Sequence, residues 1–333
     1  MSTFSQLSIL VIHDQRAGHL NPSLGICDAL EPHFQVNLTL QNTPKIAKWQ
    51  ISLLKKLSWY PRLYALFAQC FFQQQVSQSK FDAIVCSGMP NLLYALHLKN
   101  QQNNHMQQNT ALYYAGDVRK LNPAAIDCCI TALPQKIATP QLILPTPPVR
   151  GNITQLQQQP SEKSTALLLL GGATDEHPFA IDDFKHMVQQ FVKLCQSQQL
   201  KGLISSSRRT PALDQLWQDL AQQPEIELHL WGQSNAQPLV QLMQRATAVF
   251  VTEDSTTMLA EAIQSGRFVS SLFCTGSRLE SLNQKYLEQG MMQRQNLQDD
   301  FTWPAQRNLS SLNAQAQIVD LFAQIQTAKQ SIL

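Results

Sequence analysis

Short apolar runs alternate with amphipathic stretches along almost all of this 333-residue chain, and few folds accept that pattern. LSILVI (7–12), FQVNLTL (34–40), FDAIVCS (81–87), ALYYAG (111–116) and AIDCCITA (125–132) form a first group of runs. TALLLLG (165–171), KGLISS (201–206), EIELHL (225–230), AVFVT (248–252) and FVSSLF (268–273) form a second. Each run has strand length, and helix-period patterns fill most of the spaces between them. Parallel strands need crossovers of roughly a dozen residues or more, so the alternation predicts an α/β protein with parallel sheets.

The pattern breaks once, at ILPTPPVRGNITQLQQQPSEK (143–163), which holds four Pro, one Gly and a Gln run. That break predicts two doubly wound domains, 1–148 and 164–311, joined by a linker over 149–163 and facing each other across a cleft. Ile318, Leu321, Phe322 and Ile325 have helical spacing, so 312–333 is expected to be a C-terminal helix packed on the body. In such sheets ligands bind at the carboxyl ends of the strands.

Charge narrows the partners. The formal net charge of +2 excludes a bulk-basic nucleic-acid coat and an acidic disordered tail, so no nucleic-acid partner is expected. The sum hides an asymmetry. Residues 1–148 hold 11 basic and 6 acidic residues, a net +5, whereas 149–333 hold 14 and 17, a net −3. From Pro32 to Phe81 there is no acidic residue, while Lys45, Lys48, Lys55, Lys56, Arg62 and Lys80 lie among Trp49, Trp59, Tyr60 and Tyr64. Within it, KIAKWQISLLKKLSWYPRLYALFAQCFF (45–72) has the profile of an interfacial amphipathic helix broken at Pro61, with Lys55, Lys56, Trp59 and Arg62 facing a membrane surface. The competing reading is a helix pair that packs its Leu/Phe face on the core and leaves its lysines in water.

LSILVI is too short for the apolar core of a signal peptide and no run spans a membrane. The seven cysteines are scattered, without C-x-x-C, and read as reduced core thiols. A cytoplasmic protein is expected, peripheral at the inner face of the membrane.

Four loops at strand ends can carry chemistry. HDQRAGHLNP (13–22) delivers His13, Asp14, Arg16 and His19 to a sheet edge, with Gly18 relaxing the backbone and Asn21–Pro22 suited to a helix start. His13 and His19 lack a convergent carboxylate or Cys in the sequence, so no metal is expected. Gly171 and Gly172 follow a buried strand and permit close backbone approach, but they are not a dinucleotide fingerprint. Ser207, Arg208, Arg209 and Thr210 precede Pro211, which suits a helix start, and Arg forks and helix N-termini both favour phosphate. In VTEDSTTMLAEAIQSG (251–266), Thr252 ends a strand and Asp254 or Ser255 caps a helix. The helix runs through Thr256, Thr257, Met258 and Glu261 to Gly266.

These residues resemble the mitochondrial-fission "elongated mitochondria" (ELM) family. The resemblance rests on D-x-R-A-G-H at 14–19, G-G-A-T-D at 171–175, S-R-R-T-P at 207–211 and V-T-E-D-S-T-T-M-L-A-E-A at 251–262, in that order along nearly the whole chain. The family has Gly where this chain has Gln15, Gln where it has Pro22 and His-Asp where it has Pro134-Gln135.

The family in turn is similar to GT-B glycosyltransferases such as the peptidoglycan lipid-linked transferase MurG and lipid A disaccharide synthase. That resemblance implies two Rossmann-like domains and a nucleotide-sugar donor on the C-terminal one, with no cofactor or bound metal. It implies diphosphate held by Arg208, Arg209 and the amides near Ser255–Thr257, and ribose hydroxyls held by Glu261. The rest of the donor site would come from Gly171, Gly172, Ser207, Thr210, Thr252, Asp254 and Met258. His19 or Asp14 would be the general base for an acceptor hydroxyl. Arg16, Gly18, Asn21, Ser87, Gly88, Asp117 and Arg119 would line the acceptor side, for a saccharide or glycolipid. Two alternatives stand beside this enzyme: a non-catalytic adaptor on the same fold, and a sugar-nucleotide epimerase.

Overall fold

A computed structural model describes residues 6–72, 79–105, 109–151, 164–305 and 314–330. The linker expected over 149–163 lies outside the described residues from 152 onward. The chain divides into two compact units, Met1–Gly151 with Leu312–Leu333, and Asn152–Ser311.

The first unit runs β1 (Gln6–His13), α1 (Ala17–Leu30), β2 (Gln35–Asn42), α2 (Lys48–Leu57), α3 (Pro61–Phe72), β3 (Ala83–Ser87), α4 (Met89–His105), β4 (Ala111–Ala115), β5 (Cys128–Thr131) and β6 (Gln141–Ile143). Its strands form one parallel sheet in the order β2-β1-β3-β4-β5-β6. Successive side chains on a strand point to opposite faces, so each apolar run feeds two cores. Leu10, Ile12, Ile84, Cys86 and Tyr114 pack under Leu54 of α2, Tyr64 and Phe72 of α3 and Leu92 of α4. Ile9, Val11, Val85 and Tyr113 pack under Ile26 and Leu30 of α1 and under Ile318 and Phe322 of the C-terminal helix (Ala314–Gln330). Phe322 stacks on Tyr113 with centroids 4.2 Å apart. The same alternation sends neighbouring Cys128 and Cys129 into different cores, both as free thiols. Burial pushes the Cys128 thiol up to about 11 and the Cys27 thiol up to about 12.

The second unit runs β7 (Thr165–Leu170), α5 (Ile181–Ser197), β8 (Lys201–Ser206), α6 (Asp214–Leu220), β9 (Ile226–His229), α7 (Leu239–Arg245), β10 (Ala248–Thr252), α8 (Thr256–Gln264), β11 (Phe268–Phe273), α9 (Ser281–Glu288) and β12 (Gln293–Asn296). The parallel sheet order is β12-β11-β10-β7-β8-β9. α5 shows why these segments fold as they do. Phe184, Met187, Val188, Phe191 and Cys195 recur at helical spacing and are buried, and Asp183 accepts from the Ala180 amide at 2.8 Å at the helix start.

Each sheet reverses its strand order once. The first does so between β1 and β3, the second between β7 and β10. In open α/β sheets the crevice beyond such a reversal is where ligands bind.

Four local expectations are corrected. α1 starts at Ala17, not after Asn21, and Pro22 lies inside it. A proline disturbs only the carbonyl four residues back, here that of Gly18, so the preceding turn still forms, with the His19 and Leu20 amides donating to Arg16 O at 2.9 Å. No helix begins at Pro211. Residues 207–210 form a turn, and α6 begins at Asp214. Strands β6 and β12 lie outside every apolar run. β6 has three residues, and β12 reads QRQN.

Candidate active site

At the β1/β3 reversal, the loop after β1 carries Asp14, Gln15 and Arg16. Asp14 accepts at 3.0 Å from Nδ1 of His19, which lies in the first turn of α1, and at 3.3 Å from the Arg16 amide. Burial opposes ionisation of Asp14. The His19 hydrogen bond and charge, the Arg16 amide and the Arg16 guanidinium outweigh it, so the carboxyl sits below its ordinary 3.8. An ionised carboxylate only accepts, so Nδ1 of His19 donates and Nε2 carries the lone pair in the neutral ring. The ring lies on Gly88, directly after β3. A Cβ there would come within 2.5 Å of Nδ1 and 2.6 Å of Cγ. Ser87 is buried, and its carbonyl accepts from Asn91 Nδ2 at 2.6 Å.

Gln15 has φ +65°, a left-handed conformation that suits glycine, the residue the family carries there. Gln15→Gly should therefore be neutral or stabilising by a few tenths of a kcal/mol, where a glycine elsewhere in ordered backbone costs ~0.5–1 kcal/mol. A clear loss of urea midpoint in that variant would contradict the assigned backbone geometry.

The remaining acceptor-side residues are more loosely placed. Gly18 and Asn21 fall within α1, and Arg16 is exposed. Asp117 and Arg119 follow β4 as an exposed turn closed by the Arg119 amide on Asp117 at 2.9 Å. Gln135, where the family has Asp, holds that turn by donating to Gly116 O and accepting from Val118 N, at 2.8 and 2.9 Å.

At the β7/β10 reversal, four consecutive residues each anchor a different neighbour. Thr252 Oγ1 accepts from the Gly171 amide at 2.8 Å. Glu253 forms a two-point ion pair with Arg294 of β12, at 2.7 and 2.9 Å, and accepts from Ser271 of β11 at 2.8 Å. Asp254 accepts from the Gly172 amide at 3.0 Å and pairs with Arg209 at 2.5 Å. Ser255 caps α8 by accepting from Met258 N at 3.4 Å. The glycine pair is required by contact: a Cβ on Gly171 would overlap the Asp254 carboxylate, and one on Gly172 would overlap Arg209.

The loop after β8 is stapled to the same point. Thr210 Oγ1 donates to Gly171 O at 2.8 Å, Ser207 Oγ donates to it at 3.1 Å, and the Ser207 amide donates to Thr210 at 2.9 Å. These hydroxyls hold the crest together and are not free for a ligand. What remains open is Arg208, which is exposed and has no ion pair or hydrogen bond among the described residues. The Thr256 and Thr257 amides at the start of α8 also lack intrahelical acceptors. Glu261 lies in the next turn, half-buried. The two guanidiniums that look equivalent in S-R-R-T-P thus differ: Arg209 is committed to Asp254, and Arg208 is not.

Sequence reasoning missed Glu253–Arg294, because the polar strand β12 gives no periodic signal. It also missed Trp231, which follows β9 with 62% exposure and donates from its amide to Ser206 Oγ at 2.9 Å. A large exposed aromatic directly after a predicted strand was the available clue. Among the described residues no group of three or more His, Cys, Asp or Glu is placed to hold a metal ion.

Solved structures share the two-unit architecture. UDP-GlcNAc 2-epimerase from Methanocaldococcus jannaschii is 12% identical with a TM-score of 0.54, covering 96% of this chain and 99% of that one. The same organism's enzyme in complex with UDP-GlcNAc and UDP gives 11%, 0.50, 97% and 99%. The glycotransferase of kitacinnamycin gives 11%, 0.51, 97% and 93%. At such identities the likeness establishes a GT-B-like fold. No curated protein matches the chain. The family model for mitochondrial fission ELM1 matches residues 148–320, more than half of the chain. That span contains the Gly171–Gly172, Ser207–Thr210 and Thr252–Ser255 loops just described, and by it the chain belongs to the mitochondrial fission ELM1 family.

Proposed function

We propose that this protein is a glycosyltransferase that moves a sugar from a nucleotide-sugar donor to a saccharide or glycolipid acceptor without a bound metal. The observation that carries the reading is the unpaired Arg208 together with the open N-terminus of α8, linked through the neighbouring Arg209, which pairs with Asp254 just before that helix. A guanidinium and helix amides together suit a diphosphate, and they stabilise the charge that develops as it leaves. Glu261 is assigned to the ribose hydroxyls, and the exposed indole of Trp231 to the base. In the first unit, Nε2 of His19 takes the proton from the acceptor hydroxyl. The acceptor oxygen then bonds to the anomeric carbon, the bond from that carbon to the diphosphate breaks, and the nucleoside diphosphate departs. Asp14 holds the ring and stabilises the imidazolium.

A thermal-shift panel of UDP-, GDP-, ADP-, CMP- and TDP-sugars tests the donor site. UDP-GlcNAc is included because the fold neighbour from M. jannaschii binds it. At least one sugar nucleotide is expected to raise the melting temperature. Arg208→Ala should weaken that donor about tenfold or more and leave the unliganded melt unchanged. Arg209→Ala should instead cost ~1–3 kcal/mol of stability, because it strips the fully covered Asp254 carboxylate of its charged partner. His19→Ala with undiminished turnover would remove the base assignment.

One observation favours an adaptor instead. Ser207, Thr210, Thr252, Ser255 and Arg209 all find partners within the chain without a ligand. Silence of the whole panel at millimolar concentration, in a folded sample, would decide for that reading.

A further inference from the structure

The acid-free segment forms α2 and α3, and only one side of this helix pair meets the core. Leu54, Tyr64, Ala68 and Phe72 are buried. The opposite side carries Trp49, Trp59, Tyr60 and Leu66, exposed at 62%, 57%, 62% and 62%. Lys48, Lys56 and Arg62 stand exposed among them, and none has an ion pair among the described residues. Elsewhere among the described residues Lys99, Arg150, Lys185, Lys193, Lys201, Arg209, Arg245 and Arg294 pair with carboxylates, while Arg208 does not.

The α2–α3 corner continues into a groove of about 670 Å³ bounded by Trp59 and by the loops after β4 and β5. Arg119, Lys120 and Lys136 line it together with apolar residues, and no carboxylate does. Ser58 ties groove to corner, accepting from the Asn122 amide at 2.9 Å through its hydroxyl and from Asn122 Nδ2 at 3.2 Å through its carbonyl.

We propose that the exposed α2–α3 face and this groove together dock on an anionic phospholipid bilayer, with the groove taking a lipid phosphate headgroup. Charge complementarity selects the occupant: Lys48, Lys56, Arg62, Lys120 and Lys136 have no ion pair among the described residues, the only carboxylate paired at the groove is Asp117 on Arg119 at 3.9 Å, and the Trp and Tyr rings are of the kind that settle at the headgroup level. Each basic residue at such a surface contributes about fivefold in binding, ~1 kcal/mol. This docking is independent of the glycosyl-transfer reading, and its test needs no sugar nucleotide.

Flotation with vesicles of phosphatidylcholine, with and without phosphatidylglycerol, tests it. The protein is expected to float with the anionic vesicles, less so as salt rises, and to stay behind with phosphatidylcholine alone. Lys56→Glu/Arg62→Glu and Lys120→Glu/Lys136→Glu should each reduce anionic-vesicle binding more than tenfold. Trp59→Ser/Leu66→Ser should also release the protein. The control Lys185→Glu/Lys193→Glu in the second unit should float like the parent. The substituted residues are exposed or line an open groove, so unchanged melting temperatures keep the comparison valid, and the salt dependence of the parent stands without any variant. Four outcomes overturn the proposal: no flotation with anionic vesicles, equal flotation with neutral ones, charge-reversed variants that float like the parent, or release by millimolar inorganic phosphate. The last would assign the groove to a soluble phosphate, and capture of an acidic protein without vesicle binding would assign the face to a protein partner.

Discussion

Glu253→Ala should destabilise the second unit by about 3–5 kcal/mol, the range for stripping one partner from a buried ion pair. The Glu253 side chain has no exposure and that of Arg294 only 18%. The guanidinium also lies 3.7 Å over the Phe273 ring. Removing the carboxylate leaves a covered cation without its acceptor and the Ser271 hydroxyl with only the Gln293 carbonyl at 3.4 Å. The intact pair contributes little net stability, because desolvation offsets most of the attraction. Its consequence is positional. β12 reads QRQN and has no apolar face to set its register, so the pair across β11 supplies one. Replacing both partners together, Glu253→Leu with Arg294→Met, should therefore recover most of the loss. Urea unfolding of the single and double variants measures both terms. A Glu253→Ala cost under ~1 kcal/mol would show that the ion pair is not buried as described.

Gly88→Ala should disable the His19–Asp14 dyad without touching either residue. Gly88 has φ +84°, so alanine pays about 1–2 kcal/mol in backbone strain alone. The new methyl group also displaces the imidazole from its seat. Turnover should fall as far as in His19→Ala. Asp14 would lose the hydrogen bond and charge that hold its carboxyl down, so its titration should move up from its depressed position. A depressed carboxyl contributes stability above its unfolded value, and that contribution is lost as pH falls through the folded value. The variant should therefore lose less stability than the parent on acidification across that window. Carbon NMR of the Asp14 carboxyl checks the shift. An unmoved titration with normal turnover would mean that Gly88 does not seat the histidine.

Much of the fold can be read from the residues. Every apolar run became a strand, because buried parallel strands need continuous apolar sequence. β6 and β12 escaped that reading because pairing with β5 and β11 positions them rather than any pattern of their own. The start of α1 was misplaced because Gly18 and Pro22 both resemble boundary residues, and neither stops a helix within its first turns. At the site, the D-x-R-A-G-H and T-E-D-S loops fall at the strand-order reversals, and the S-R-R-T-P loop after β8 is hydrogen-bonded to Gly171 beside the second. The division of labour within them could not be read. Arg208 and Arg209 are adjacent and chemically identical, and only the approach of Asp254 from β10 separates them. The hydroxyls of Ser207, Thr210, Thr252 and Ser255 look like a ligand cradle in one dimension, whereas in three they bind the Gly171 backbone, one another and α8. Glu253 looks redundant beside Asp254, although each holds an ion pair across an intervening strand, Glu253 across β11 and Asp254 across β7.

Hydrogen–deuterium exchange with the sugar nucleotide that raises the melting temperature most among the UDP-, GDP-, ADP-, CMP- and TDP-sugars tests the central claim most directly. The account predicts slower exchange at 171–175, 206–210 and 253–258, with no comparable change in the remainder of the second unit. No protection at those three loops, or protection centred on another face of that unit, would contradict a donor site at the β7/β10 reversal.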